Sequence, residues 1–468
     1  MPERRPNVIV VLTDQQRWDT TGVHGNPLDL TPHYDRMARR GTHVTQAVTP
    51  QPVCAPARAA LQTGRYPTAA GVYRNSLALP PDRRTLAHCF GDAGYVTGYL
   101  GKWHLASAEP VPAGERGGYQ HWLAANILEF TSDAYRTVLY DEDGQPVLLP
   151  GYRSDALFDA AIRFAADHHA EPFFLFLSLM EPHHQNEVDT YPAPEGYAER
   201  YQGRWMPPDL ATLSAHGGTA HRHMSGYLGQ IRRVDEGLGR LFDALRSMDL
   251  RSNTIVAFTS DHGNHFRTRN DEYKRSCHDG SLRVPLALCG PGFDGGRVID
   301  RPVSTLDLPP TLLDAAGIEV PGDMDGRSFL PLVTRPDAPW PDEVYCQVSE
   351  SEVGRVIRTG RWKYYVTAPG ADAWADAGAE RYVETALYDL ANDPYELDNL
   401  IGLASHRDVA DDLRQRLLRR AAEAGEPIAA VEPAAPAVRP QRRVDPAVRA
   451  LPLTGVRFGH QPRVRSRD

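Results

Sequence analysis

The sequence predicts an α/β fold: a large mixed, mainly parallel sheet sandwiched by helices, with a smaller C-terminal α+β domain. Strand-like apolar runs alternate with helical patterns over the first two thirds of the chain, as in a sheet covered by helices. From about residue 340 the texture changes to short, closely spaced strands followed by one helix. No apolar run approaches the roughly 20 residues that cross a bilayer, so no membrane partner is expected. The 468 residues are 41% hydrophobic and 24% charged, which excludes fibrous and wholly disordered classes. A net charge of -9 argues against nucleic acid as a partner.

The first strand is expected at Asn7–Thr13. Its apolar stretch is too short for a signal-peptide core, so a soluble cytoplasmic protein is expected. Further strands are expected at Tyr95–Leu100, Pro172–Met180, Thr254–Ser260 and Val284–Cys289, all rich in β-branched or aromatic residues. Helices are expected at Pro32–Arg40, Ser154–His168, Ser225–Met248 and Leu308–Ala316. The first is opened by Thr31 and Pro32 and closed by Gly41. In the smaller domain, strands are expected at Val344–Val348, Arg355–Thr359 and Trp362–Val366, then a loop at Pro369–Gly378. Ser405 and Asp408 suit a capping arrangement for a last helix with Val409, Leu413 and Leu417 on one face. These features divide the chain into residues 1–335, residues 336–425 and a Pro/Arg-rich extended tail at 426–468. A homo-oligomer is compatible with this layout.

Five cysteines, at 54, 89, 277, 289 and 346, make neither a disulfide framework nor a C-x-x-C pair. Cys89, Cys289 and Cys346 read as small core residues, and Cys277 as packing. Trp103 and Trp122 read as core or pocket wall.

The chemistry gathers at the strand ends. Val8–Thr13 ends in Asp14-Gln15, Thr254–Ser260 in Asp261-His262-Gly263, Tyr95–Gly101 in Lys102-Trp-His104, and Phe173–Met180 in Glu181-Pro-His183-His184. Ligands of open α/β sheets bind beyond the carboxyl ends of the strands. Two carboxylates, an amide oxygen and an imidazole suit one divalent cation. The lysines and histidines suit an anionic substrate. Cys54 stands where a helix begins, with Pro56 in the first turn and Gly64 at the end. A thiol there is electrostatically activated, at a place that welcomes anions.

Cys54-Ala-Pro-Ala-Arg58 followed by Thr63-Gly-Arg65 strongly resembles the signature of the type I sulfatases, of the alkaline-phosphatase superfamily. The resemblance extends to Thr13-Asp-Gln-Gln-Arg17, Thr31-Pro-His-Tyr-Asp-Arg36, Gly101-Lys-Trp-His-Leu105, Pro182-His183, Thr259-Ser-Asp-His-Gly263, Arg283-Val-Pro-Leu286 and Leu387-Tyr-Asp-Leu. It implies an alkaline-phosphatase-like sheet and hydrolysis of a small anionic sulfate ester, on a carbohydrate or an aryl group. It also implies that a formylglycine-generating enzyme oxidises Cys54 to formylglycine (3-oxoalanine). Asp14, Gln15, Asp261 and His262 would hold one divalent metal, with calcium the family's usual ion and magnesium or manganese the alternatives. Many relatives carry a second Asp where Gln15 stands and Asn where His262 stands.

By the same resemblance, Arg58 and Lys102 would hold residue 54 and the bound anion. Lys274 would balance charge on the sulfuryl oxygens, and His183 or Lys274 would protonate the departing alcohol. His104 would drive breakdown of the covalent intermediate. His184, Asn186, Arg275 and His278 are candidates for gripping a sulfated sugar. Two other functions compete. One is hydrolysis of phosphonate monoesters or phosphodiesters, whose enzymes share formylglycine and an Asp-Gln start like Asp14-Gln15. The other is a catalytically silent sulfatase-like binding protein, disfavoured because no expected catalytic residue is missing.

Overall fold

A computed structural model describes residues 5–214, 218–427 and 429–440; the remainder of the predicted tail, 441–468, lies outside the described residues. A ten-stranded sheet is built from β1 (Asn7–Thr13), β2 (Thr42–Val48), β3 (Val96–Lys102), β4 (His121–Ala125), β5 (Thr137–Tyr140), β6 (Pro146–Leu149), β7 (Phe173–Ser178), β8 (Thr254–Ser260), β9 (Leu286–Cys289) and β10 (Arg297–Ser304). Their order is β10-β2-β9-β8-β1-β7-β3-β4-β5-β6. The centre is parallel, β1 pairing with both β7 and β8, and β3 with both β7 and β4. β9 runs antiparallel to β8 and β2, and β5 and β6 add an antiparallel edge.

β1 shows why the centre is parallel. Val8, Val10 and Leu12 point into one apolar core and Ile9 and Val11 into another, all fully buried. A strand apolar on both faces must be covered on both. The helices Pro32–Arg40, Arg153–Asp167 and Ala220–Ser247 cover one face with Tyr34, Met37, Leu157, Phe158, Val234 and Leu238. The helices Cys54–Thr63, Leu86–Asp92 and Leu308–Ala315 cover the other. Trp103 and Trp122 lie in that second core, in edge contact with each other and packed on Tyr99, so they are not pocket walls.

The smaller domain is a five-stranded sheet of β11 (Glu343–Val348), β12 (Gly354–Thr359), β13 (Trp362–Thr367), β14 (Arg381–Asp389) and β15 (Ala430–Glu432). The helix Arg407–Glu423 packs Leu413 and Leu417 on one face of it. The other face meets Cys277 and Leu282 of the larger domain. The expected Ser405/Asp408 cap does not form: the N-cap position is His406, and Ser405 Oγ instead faces His406 Nδ1 at 2.9 Å. β15 pairs with β14 and Ala437 N donates to Gly402 O, so the chain after the last helix runs extended along this sheet. All five cysteines are buried and free. Among the described residues, no helix is long and apolar enough to cross a membrane.

Candidate active site

The carboxyl ends of β1, β8, β3 and β7 converge on the amino end of the helix Cys54–Thr63. That helix starts from extended Val53 and stops at Gly64, whose φ of 67° is left-handed. Ala55 N donates to Asn75 Oδ1 at 3.1 Å. Cys54 Sγ thus sits at the positive end of the helix, beneath the strand tips.

Around it the predicted residues meet. Lys274 Nζ donates to Cys54 Sγ at 2.8 Å, and Lys102 Nζ lies 4.0 Å from the sulfur. His262 Nε2 is 3.2 Å away and Asp14 Oδ1 3.8 Å. Burial alone would push the Cys54 thiol up, but Lys102, Lys274 and His262 outweigh it and hold the thiol well below its ordinary value. His183 Nε2 stands 3.2 Å from Lys274 Nζ, and burial together with Lys274 depresses its pKa.

Asp14 and Asp261 face each other across Arg58, whose Nη2 reaches Asp14 Oδ2 at 3.0 Å and Asp261 Oδ2 at 3.2 Å. Burial and Cys54 push Asp14 up; Lys102, His183 and Arg58 outweigh them and keep it below the carboxylate range. Asp261 moves the other way, to about 6, because burial and the Asp14 charge disfavour its ionised form.

Asp14, Cys54, Asp261 and His262 each offer a ligand atom, and these atoms lie within 4.8 Å of one another. His262 Nδ1 faces the Gly263 carbonyl at 2.9 Å, which leaves Nε2 for the cluster. Gln15 is fully buried, yet neither its Oε1 nor its Nε2 has a hydrogen-bond partner. An orphaned buried amide costs about 1–3 kcal/mol, and an amide oxygen beside two carboxylates and an imidazole fits a divalent cation. Exchange of the Cys54 sulfur for an aldehyde oxygen would leave only oxygen and nitrogen donors, the set a hard cation prefers. Gln15 and His104 have left-handed backbones, with φ of 70° and 63°. Such conformations cost non-glycine residues on the order of 1–3 kcal/mol and persist where the surroundings impose them.

The four predicted sugar contacts separate. His184 stacks on His183 and Tyr273 with ring centroids 4.4 and 4.3 Å apart, and its Nδ1 and Asn186 Oδ1 have no hydrogen-bond partner. Both residues are partly exposed, and His184, against His183, stays beside the site. Arg275 is instead committed to ion pairs with Glu272 and Glu350, and His278 to Ser276 and Tyr388. Those two side chains serve the seam between the domains.

Sequence reasoning missed two residues. Ser178, on β7, accepts from Arg58 Nη1 at 2.7 Å and donates to Lys102 O at the same distance. Glu129, on the short helix Leu128–Thr131, accepts from Lys102 Nζ at 2.8 Å. Burial pushes Glu129 up, but Lys102, His104 and His183 outweigh it, so it is held below the carboxylate range. The strand-tip rule would have flagged Glu129 had β4 been recognised, since it comes four residues after that strand.

The sulfatase family model matches residues 6–318, and the model of the C-terminal region of N-sulphoglucosamine sulphohydrolase matches residues 271–423. An ulvan-active sulfatase of Formosa agariphila is 29% identical, over 90% of this chain and 82% of its own. The uncharacterised sulfatase YidJ of Escherichia coli K12 is 30% identical, over 89% of this chain and 87% of its own. A crystal structure of a YidJ sulfatase from Bacteroides fragilis superposes with a TM-score of 0.80 at 25% identity, covering 92% of this chain and 98% of that one. With the catalytic motifs gathered in one buried cluster on the family's fold, the chain belongs to the sulfatase family and is a sulfuric ester hydrolase.

Proposed function

We propose that the protein hydrolyses a sulfate monoester of a carbohydrate or small aryl alcohol, using a formylglycine made from Cys54 and one divalent cation, calcium first among the candidates. The observation that carries this reading is the position of Cys54: at a helix amino end, with two lysines and the cluster of Asp14, Asp261 and His262 gathered around its side chain. The name of the Formosa relative supports a polysaccharide substrate.

Asp14, Gln15, Asp261 and His262 would hold the cation. Bound there, it supplies Lewis-acid charge beside residue 54, and formylglycine supplies an oxygen nucleophile where the thiol stands. The rest is done by side chains. Lys102 and Lys274 both approach residue 54, so both ammonium groups are within reach of the oxygens of a sulfuryl group placed there. Arg58 neutralises the two aspartates and, through Ser178 and the Lys102 carbonyl, ties the helix to β3 and β7. His183, hydrogen-bonded to Lys274, shares with it the proton that the departing alcohol needs. His104 accepts the proton released when sulfate leaves.

The test compares an aryl sulfate, a phosphodiester and a phosphonate monoester on protein matured with a formylglycine-generating enzyme. A dominant sulfate rate supports the reading, and sulfated mono- and oligosaccharides then define the substrate. Faster phosphonate or diester turnover would favour the related hydrolases, whose Asp-Gln start Asp14-Gln15 shares. Mass spectrometry should find an aldehyde at residue 54, and Cys54→Ala should abolish turnover yet keep the metal.

A further inference from the structure

His104 stands at the tip of β3 with one ring nitrogen unexplained. Its Nδ1 is buried and has no hydrogen-bond partner, while its side chain also hydrogen-bonds to Cys54. Glu129 approaches that ring: its Oε1 lies 3.8 Å from His104 Nδ1, and its Oε2 is likewise buried without a partner. An imidazole nitrogen lacking a partner thus lies beside a carboxylate that keeps one oxygen unpaired, both of these atoms being buried. Leaving either unpaired costs about 1–3 kcal/mol.

The carboxylate is held firmly in place. Lys102 Nζ donates to Oε1 at 2.8 Å, and Gln185 Nε2 donates to the Glu129 carbonyl at 2.8 Å. Separations of this kind tighten when substrate closes the site. The left-handed backbone of His104, with φ of 63°, is a main-chain conformation that persists where the surroundings impose it.

Resting on the sulfate-ester reading, we propose that Glu129 is a positioning residue acting through His104. Its carboxylate fixes the tautomer with the proton on Nδ1 and leaves Nε2 as the acceptor facing residue 54. An imidazole's tautomer is set by the partner of its other nitrogen. In the breakdown step Nε2 takes the proton of the free hydroxyl on residue 54 as the C–O bond to the sulfate group breaks; sulfate leaves with that bond's electron pair and residue 54 returns to the aldehyde. The resulting imidazolium lies beside Glu129, which stabilises the charge without becoming protonated. That proton then leaves to solvent and one water rehydrates the aldehyde, so each turnover consumes one water.

Glu129→Gln keeps the shape and removes the charge. The first readout does not need matured enzyme: 15N spectra of histidine-labelled Cys54→Ala protein, in which no thiolate claims the Nε2 proton, the His104 signal being assigned by its loss on a further His104→Ala substitution. In that background His104 should carry its proton on Nδ1 when Glu129 is present and become a tautomer mixture in Glu129→Gln. An unchanged tautomer overturns the proposal, whatever the protein hydrolyses.

The second readout is kinetic. On an aryl sulfate, kcat should fall about 10²-fold and KM should fall with it, so that kcat/KM changes by less than about threefold. One equivalent of phenol per site should appear in a burst before the slow phase. In a His104→Ala background the same substitution should cost less than about twofold, because a residue acting through another has nothing left to act through. A further large loss in that background would assign the effect to Lys102 and overturn the proposal. So would a fall in melting temperature or metal content that accounts for the lost rate. If the matured wild type cleaved no sulfate ester, the functional reading would fail while the tautomer comparison still decided the role of Glu129.

Discussion

Asp14 and Asp261 illustrate how one charge shapes another at the scale of single residues. They share Arg58, and only one of them keeps a depressed pKa while the other rises to about 6. A cation between them removes that conflict, so both should be needed to hold it. Asp14→Ala and Asp261→Ala are each expected to lose the metal and at least about 10²-fold in activity while keeping the fold. Full metal content in either variant, by elemental analysis, would end the ligand assignment. His183→Ala tests the proton path from a different side. A general acid matters most for basic leaving groups, so the loss should be about tenfold or more greater on a sugar sulfate than on a nitrophenyl sulfate. Equal losses would move the acid role to Lys274. These residues were legible because each sits inside a motif at the end of a recognisable strand. Glu129 was not, because β4, whose end it follows, does not read as a strand; the Lys102 ammonium is what marks it.

Elements place these residues through their ends. β3 and β7 run side by side into Lys102 and Ser178, and Gly101 allows the approach. Its φ is 100°, and a Cβ there would strike the Ser178 carbonyl. Gly101→Ala should therefore cost about 2–3 kcal/mol of stability and, by moving Lys102, more activity than an average core change of that size. Denaturant melts and kcat/KM measured together check this; an alanine tolerated on both counts would show that β3 can shift freely. Strands with continuous apolar runs, β1, β7 and β8, were legible within a residue or two. β2, β4 and β10 were not. β2 (Thr42–Val48) mixes Thr, His and Gln with valines, and β10 contains a proline and an exposed outer half. They become strands because a neighbour's hydrogen bonds are offered to them, a tertiary cause that local pattern cannot carry.

The whole molecule is held together across its two sheets by a buried ion cluster. Asp279, in the larger domain, bonds Arg358 Nη2 on β12 at 2.9 Å and also Lys363 on β13, which in turn reaches Glu396. Burial pushes Asp279 up, but Arg358 and Lys363 outweigh it and hold it far below the usual range. Asp279→Asn strands two buried cations and should cost about 3–5 kcal/mol. The sign of the pH effect comes from a depressed folded pKa. The contribution is fully present above the ordinary Asp value of 3.8 and fades as pH falls below it. Thermal melts of wild type and variant should thus differ strongly at pH 7, with the gap narrowing progressively as pH falls below about 4; a constant gap would deny the ion pair its role. The same seam accounts for Arg275 and His278. Their charge and hydrogen-bonding capacity, visible in the sequence, suggested substrate, but Glu350 and Tyr388 from the second domain claim them. By itself the sequence determined the α/β class, the central strands and the motif residues that gather around Cys54, because each is written locally as periodicity, capping or motif. Only the tertiary structure decided which polar side chains face the site and which close the domain seam, because that choice depends on partners more than 70 residues away in the chain.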